Sequence, residues 1–189
     1  MKYFSLAAVH RDAGWFLNPL TGNLHQTSAR DLRHFQTDDL PSKIVSALAY
    51  CDHPYRLQPP DFNDSCHSTE AQLSRLKKTY DRIVFLRSIT YWLATQYSRL
   101  SRPMFENSLQ AFQAMGKLGL SAKTDSQGCL NRTLAAAKCS AEFSRSGVLL
   151  IGADLPHTYL HAWIIEKNYQ PDPWDRDWIN YLPIAAYAC

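Results

Sequence analysis

Glycine is scarce in this sequence, no two cysteines form a CxxC pair, and neither sign of charge dominates. With 7 Gly in 189 residues and 46% hydrophobic content, the chain is neither fibrous nor extensively disordered. A formal charge of +3 gives no reason to expect nucleic-acid binding. The basic residues Arg75, Lys77, Lys78, Arg82, Arg87, Arg99, Arg102 and Lys117 read as the solvated surface of helices. The cysteines (Cys51, Cys66, Cys129, Cys139, Cys189) are odd in number, which argues against a disulfide framework and for reduced thiols in the cytosol. The longest apolar stretch, residues 83–94, contains Arg87 and is far too short to span a membrane. The opening MKYFSLAAVHRD has the wrong flanks for a signal peptide. His53, Cys66 and His67 match no zinc spacing, and the His157/His161 pair lacks the Glu of HExxH, so no metal site is expected. No P-loop or kinase-type glycine motif is present, so no cofactor is expected on this chain.

Taken in order, residues 3–28 predict short strands separated by turns at residues 10–14 and 18–22. Ser28 then caps a short helix, ARDLRHFQ. A second helix, SKIVSALAY, places Ile44, Val45, Leu48 and Ala49 on one face. These elements define a small unit over residues 1–52, which leans on the rest of the chain. Residues 53–69, rich in proline and without apolar periodicity, form a linker. Over residues 70–189 a long amphipathic helix runs to Arg102-Pro103, and a second, MFENSLQAFQAM, starts near Pro103. A helix over 129–143 follows, then a buried strand, GVLLIGA, and a hairpin of HAWIIEK with the segment around residues 169–173. Helices first, then strands packed on the 129–143 helix, make an α+β fold.

Three residues carry chemistry: Cys129, His161 and Asp172. A thiol, an imidazole and a carboxylate are the parts of a nucleophilic cysteine site. Cys129 opens a helix behind the capping residues Asp125 and Ser126, where the unpaired backbone N–H groups and the dipole favour thiolate. Gln127, or the backbone N–H of Cys129, is the oxyanion donor. A hairpin turning near residues 166–168 brings Asp172 opposite His161, with Asp175 and Asp177 as the alternatives, because one residue of slip reverses the face. Cys139 lies about 15 Å along the helix and cannot share the site.

The segment LLIGADLPHTYLHAWIIEKNYQPDPW, preceded by DSQGCLNRTLAAA, resembles the lasso peptide biosynthesis B proteins, which are transglutaminase-like cysteine peptidases. Cys129, Leu150-Ile151-Gly152, Pro156, His161-Ala162-Trp163 and Asp172 stand in that family's order. The resemblance implies a papain/transglutaminase-like peptidase domain that removes the leader from a ribosomal lasso precursor. The N-terminal strands resemble the family's winged-helix-related leader-recognition module. Its expected leader-binding residues are Leu24 and Gln26 on the strand at residues 22–28, and Ile44 and Leu48 on the neighbouring helix. The resemblance also implies an asparagine-synthetase-like cyclase as partner, to which any need for ATP belongs, and a cytoplasmic location. Two other functions use the same residues: acyl transfer to an amine, or a non-catalytic peptide-binding scaffold.

Overall fold

The computed structural model describes residues 1–52, 68–96, 103–120, 128–155, 157–167, 169–173, 175 and 178–189. The fold is α+β. Its centre is a four-stranded sheet of order β1-β7-β5-β6, made of β1 (Lys2–Ser5), β5 (Val148–Asp154), β6 (Tyr159–Ile165) and β7 (Leu182–Ala188). All its pairings are antiparallel. The near-continuous apolar run of β5 suits a strand covered on both faces, and alternation along the strands divides the apolar residues between two cores. Leu149, Ile151, Ala162, Ile164 and Tyr187 enter the core on the helical side. Val148, Leu150, Trp163, Ile165 and Ala186 enter the other.

The helical side holds α2 (Glu70–Ile89), α4 (Ser108–Lys117) and α5 (Gly128–Cys139). In α5 the run Ala135-Ala136-Ala137 lets neighbouring elements approach from every side, and every residue of the helix except Cys129 is buried. α5 stops at Cys139 because its carbonyl accepts from the backbone N–H groups of Met104 and Phe105. Ser140 then caps the short α6 (Ala141–Ser146) by accepting from Phe143 N–H. One continuous helix over 129–143 is therefore replaced by two. The long helix expected from residue 69 breaks in the same manner. Thr90 is extended (φ −160°), its hydroxyl and the Trp92 N–H both donate to the Leu20 carbonyl, and α3 (Tyr91–Gln96) continues beyond it. α4 starts at Ser108 with Asn107 as its cap, not at Pro103. Glu166, fully buried at the end of β6, accepts from Ser108 N–H, Ser108 hydroxyl and Ser140 hydroxyl, which pins this strand end to α4 and α6.

The unit expected over residues 1–52 is divided between two sheets. β2 (Ala8–His10), β3 (Ala13–Leu17) and β4 (Leu24–Ser28) form a three-stranded sheet of order β2-β3-β4, and the short helix that follows is a 3-10 helix at Asp31–Phe35. Ser28 still serves its start, accepting from Asp31 N–H and donating to the Asp31 carboxylate. β1, by contrast, pairs with β7 near the other end of the sequence. α1 (Ser42–Cys51) packs on the central sheet, burying Ile44 and Ala47 while Val45 and Ala49 face solvent. Residue 52 is thus no boundary between packed units. Most of the linker, residues 53–67, lies outside the described residues. No described helix is long and apolar enough to cross a membrane.

Candidate active site

Cys129 is the second residue of α5, half-exposed at the N-terminal end of a helix that is otherwise buried. His161 is the third residue of β6, paired across the sheet with Gly152 of β5. A side chain at Gly152 would meet the Trp163 ring at 2.7 Å and Tyr181 at 2.8 Å. Glycine here lets those two aromatics close around the imidazole, and the His161 ring lies 6.0 Å from Trp163 and 4.9 Å from Tyr181. This is the physical content of the Ile151-Gly152 and His161-Ala162-Trp163 motifs.

The carboxylate that meets His161 is Asp175. His161 Nε2 lies 2.8 Å from Asp175 Oδ2, and the two side chains are only 16% and 6% exposed. That bond leaves Nδ1 as the nitrogen available to Cys129, whose thiol also favours the charged imidazole. Asp172 does not face the imidazole; it forms a buried ion pair with Arg132 of α5. The expected hairpin of β6 with residues 169–173 is absent. After one bridge between Glu166 and Tyr169 the ladder ends, because Pro171 and Pro173 have no N–H to contribute, and β7 is the strand that pairs with β5. Asp175 N–H instead donates to the Asp172 carbonyl. Asp175 was an alternative in the sequence; Asp177 lies outside the described residues.

The electrostatics favour a charged pair. Burial, the largest single influence on Cys129, pushes its thiol up. The His161 hydrogen bond and charge, with the backbone N–H groups of Ala162 and Leu130, overcome this and hold it below the ordinary thiol value. For His161 burial again leads and disfavours the imidazolium, but the bonds to Asp175 and Cys129 outweigh it and push the ring up to about 9. An acidified thiol beside a basic imidazole populates thiolate and imidazolium together. Cys139 is the contrast: burial pushes its thiol up to about 12, so it stays protonated and inert.

Two residues that the sequence reading passed over hold these groups together. Arg132 and Thr133 stand three and four residues after Cys129, hence on the same face of α5. Thr133 Oγ1 donates to the Ala162 carbonyl at 3.0 Å, fastening the helix to β6 beside His161. Arg132 grips Asp172 and lies 5.8 Å over the Phe112 ring. The i+3, i+4 spacing behind a helix-start cysteine was the available signal.

Gln127, Asp125 and Ser126 lie outside the described residues. The four residues expected to bind a leader do not share one surface. Leu24 and Gln26 lie on β4, an edge strand, with Leu24 half-buried against the helical core and Gln26 exposed. Ile44 is fully buried and Leu48 partly so in the opposite core, packed with Val148, Leu150 and Trp163, and Ile44 offers no pocket to a ligand. Among the described residues no group of three His, Cys, Asp or Glu side chains is arranged to hold a metal ion. Compared with protein-family models, curated proteins and solved structures, the chain matches none.

Proposed function

We propose that this protein is a cysteine peptidase of papain/transglutaminase-like architecture, with Cys129 as nucleophile, His161 as base and acid, and Asp175 as the group that orients His161. The observation that carries this reading is the hydrogen-bonded chain from Asp175 through Nε2 of His161 to a thiol of lowered pKa at a helix start. In this mechanism the Cys129 thiolate attacks a peptide carbonyl. The tetrahedral oxyanion accepts from the Cys129 backbone N–H at the helix N-terminus. Collapse breaks the C–N bond as the His161 imidazolium gives its proton to the leaving amine, which leaves a thioester. Water, deprotonated by the neutral imidazole, then attacks the thioester and releases the acid and the thiol.

The proposed substrate is the precursor of a ribosomally made lasso peptide, cut at the end of its leader. This rests on the ordered motifs at Cys129, Leu150-Ile151-Gly152, His161-Ala162-Trp163 and the acidic turn. In that reading the enzyme works in the cytoplasm beside an asparagine-synthetase-like cyclase, which supplies any ATP requirement. The leader joins the outer edge of β4, which no described strand pairs with and which offers backbone groups to an added strand. The test is incubation of purified protein with the candidate precursor, with product masses read with and without added amine. Free leader and core sustain the proposal. An amine adduct replaces hydrolysis with acyl transfer, and bound but uncut precursor replaces it with a scaffold.

A further inference from the structure

We propose that Arg132 is a positioning residue: by clamping Asp172 it sets the turn that delivers Asp175 to His161. The inference deepens the reading of Cys129, His161 and Asp175 as one site, and it follows from three placements. Cys129, Arg132 and Thr133 share one helical face. Thr133 holds β6 through the Ala162 carbonyl. Arg132 holds the β6–β7 connection through Asp172, in an ion pair whose side chains are 4% and 3% exposed. The helix that carries the nucleophile therefore also grips the histidine strand and the acidic turn.

Besides Arg132, the described anchor of this segment is the Tyr50 hydroxyl, which accepts from Gln170 N–H at 3.1 Å, two residues before Asp172. Pro171 and Pro173 deny it ladder hydrogen bonds, and among the described residues no strand pairs with residues 170–173 or 175. Asp175 N–H donates to the Asp172 carbonyl, so the position of Asp172 is passed directly to Asp175. The pair also has to stay together, because a buried guanidinium or carboxylate left alone is strongly disfavoured. Arg132 Nη2 holds Asp172 at one end of this turn, and at the other Asp175 stands 2.8 Å from Nε2 of His161.

The test needs no substrate. His161 is followed by NMR titration of ring-labelled protein, with iodoacetamide alkylation of Cys129 as the second readout. The groups that face the ring are Cys129 from α5, Asp175 from the turn, Trp163 from β6 and Tyr181 before β7, and the Arg132 charge acts in turn on Asp175 and Cys129. The decisive variant is the double replacement Arg132→Met/Asp172→Leu. It removes one positive and one negative charge, leaving net charge unchanged, and an uncharged pair of similar volume is tolerated in a core. The expected result is a folded protein in which the His161 midpoint falls by a unit or more from about 9, as it does in Asp175→Asn. Adding Asp175→Asn to the double variant then produces no further shift, because the contact is already lost. A wild-type midpoint in the double variant, with only a lowered Tm, makes the pair merely structural and overturns the proposal. A full additional shift on adding Asp175→Asn overturns it as well. Should the double variant fail to fold, Asp172→Asn, which keeps an acceptor for Arg132, decides by the same midpoint: a value between wild type and Asp175→Asn supports the clamp and an unmoved one refutes it. A precursor left uncut by wild-type protein whose His161 titrates near 9 counts against the peptidase reading alone.

Discussion

Replacing Asp175 by Asn keeps the shape of the side chain and removes its charge. The imidazolium then loses a charge-assisted hydrogen bond in a site where the two side chains are 16% and 6% exposed. Such bonds contribute about 1.5–3 kcal/mol, so with each ~1.36 kcal/mol worth a factor of ten, the thiolate–imidazolium population and kcat/KM fall roughly ten- to 150-fold. Burial, the largest influence on His161, already opposes its charge, and without the carboxylate it acts unopposed except by Cys129. The loss stays well below the roughly ten-thousand-fold cost of the same change in a serine triad, because Cys129 also draws on the backbone N–H groups of Leu130 at its helix start and of Ala162 in β6. The assay is kcat/KM on the precursor at neutral pH, with Cys129→Ala as the zero and circular dichroism as the check on folding. A folded Asp175→Asn protein at wild-type rate refutes the assignment of this carboxylate.

Cys129→Ala abolishes cleavage and removes the rapid alkylation of one thiol by iodoacetamide near neutral pH, whereas Cys139→Ala leaves both within a few fold, as peptide mass mapping reads directly; Cys139 is held protonated by burial. If the protein is the proposed peptidase, the expected pH profile of cleavage is bell-shaped. Its acid limb follows Cys129, depressed below the ordinary thiol value, and its alkaline limb falls near 9 as the imidazolium loses its proton. The same group links stability to pH: a histidine raised in the fold stabilises most below its unfolded value of ~6.5 and loses that contribution as pH climbs through about 9, which thermal melts across that range measure. Ile44→Ala lowers stability by about 2–5 kcal/mol in chemical denaturation, through a cavity in the second core, and any leader-binding defect it shows tracks unfolding. Deletion of residues 1–52 yields insoluble protein rather than a free peptidase domain, since it strips β1 from β7 and α1 from the sheet; a soluble, folded 53–189 fragment by gel filtration and circular dichroism contradicts the shared sheet.

The sequence by itself determined the features whose signals are local. A cysteine at a helix start announces its own dipole environment, and the apolar runs of β5 and β6 announce buried strands, so Cys129, His161 and the α+β class were legible from neighbouring residues. Contacts between distant parts of the chain were not. The breaks at Thr90 and Ser140 arise where the Leu20 carbonyl and the Met104–Phe105 backbone take over groups of the local helix. β1 joins β7 across nearly the whole chain, so the first 52 residues read as a unit of their own although their first strand completes the central sheet. The choice between Asp172 and Asp175 was likewise tertiary. Both acids lie in one proline-punctuated turn, and period-two reasoning fails where no ladder exists. Arg132, forty residues away in sequence, claims Asp172, and Asp175 is the acid left to face the histidine. The physical reason is the cost of burying a charge: a guanidinium inside the protein needs a carboxylate, and only the packed structure decides which one it meets.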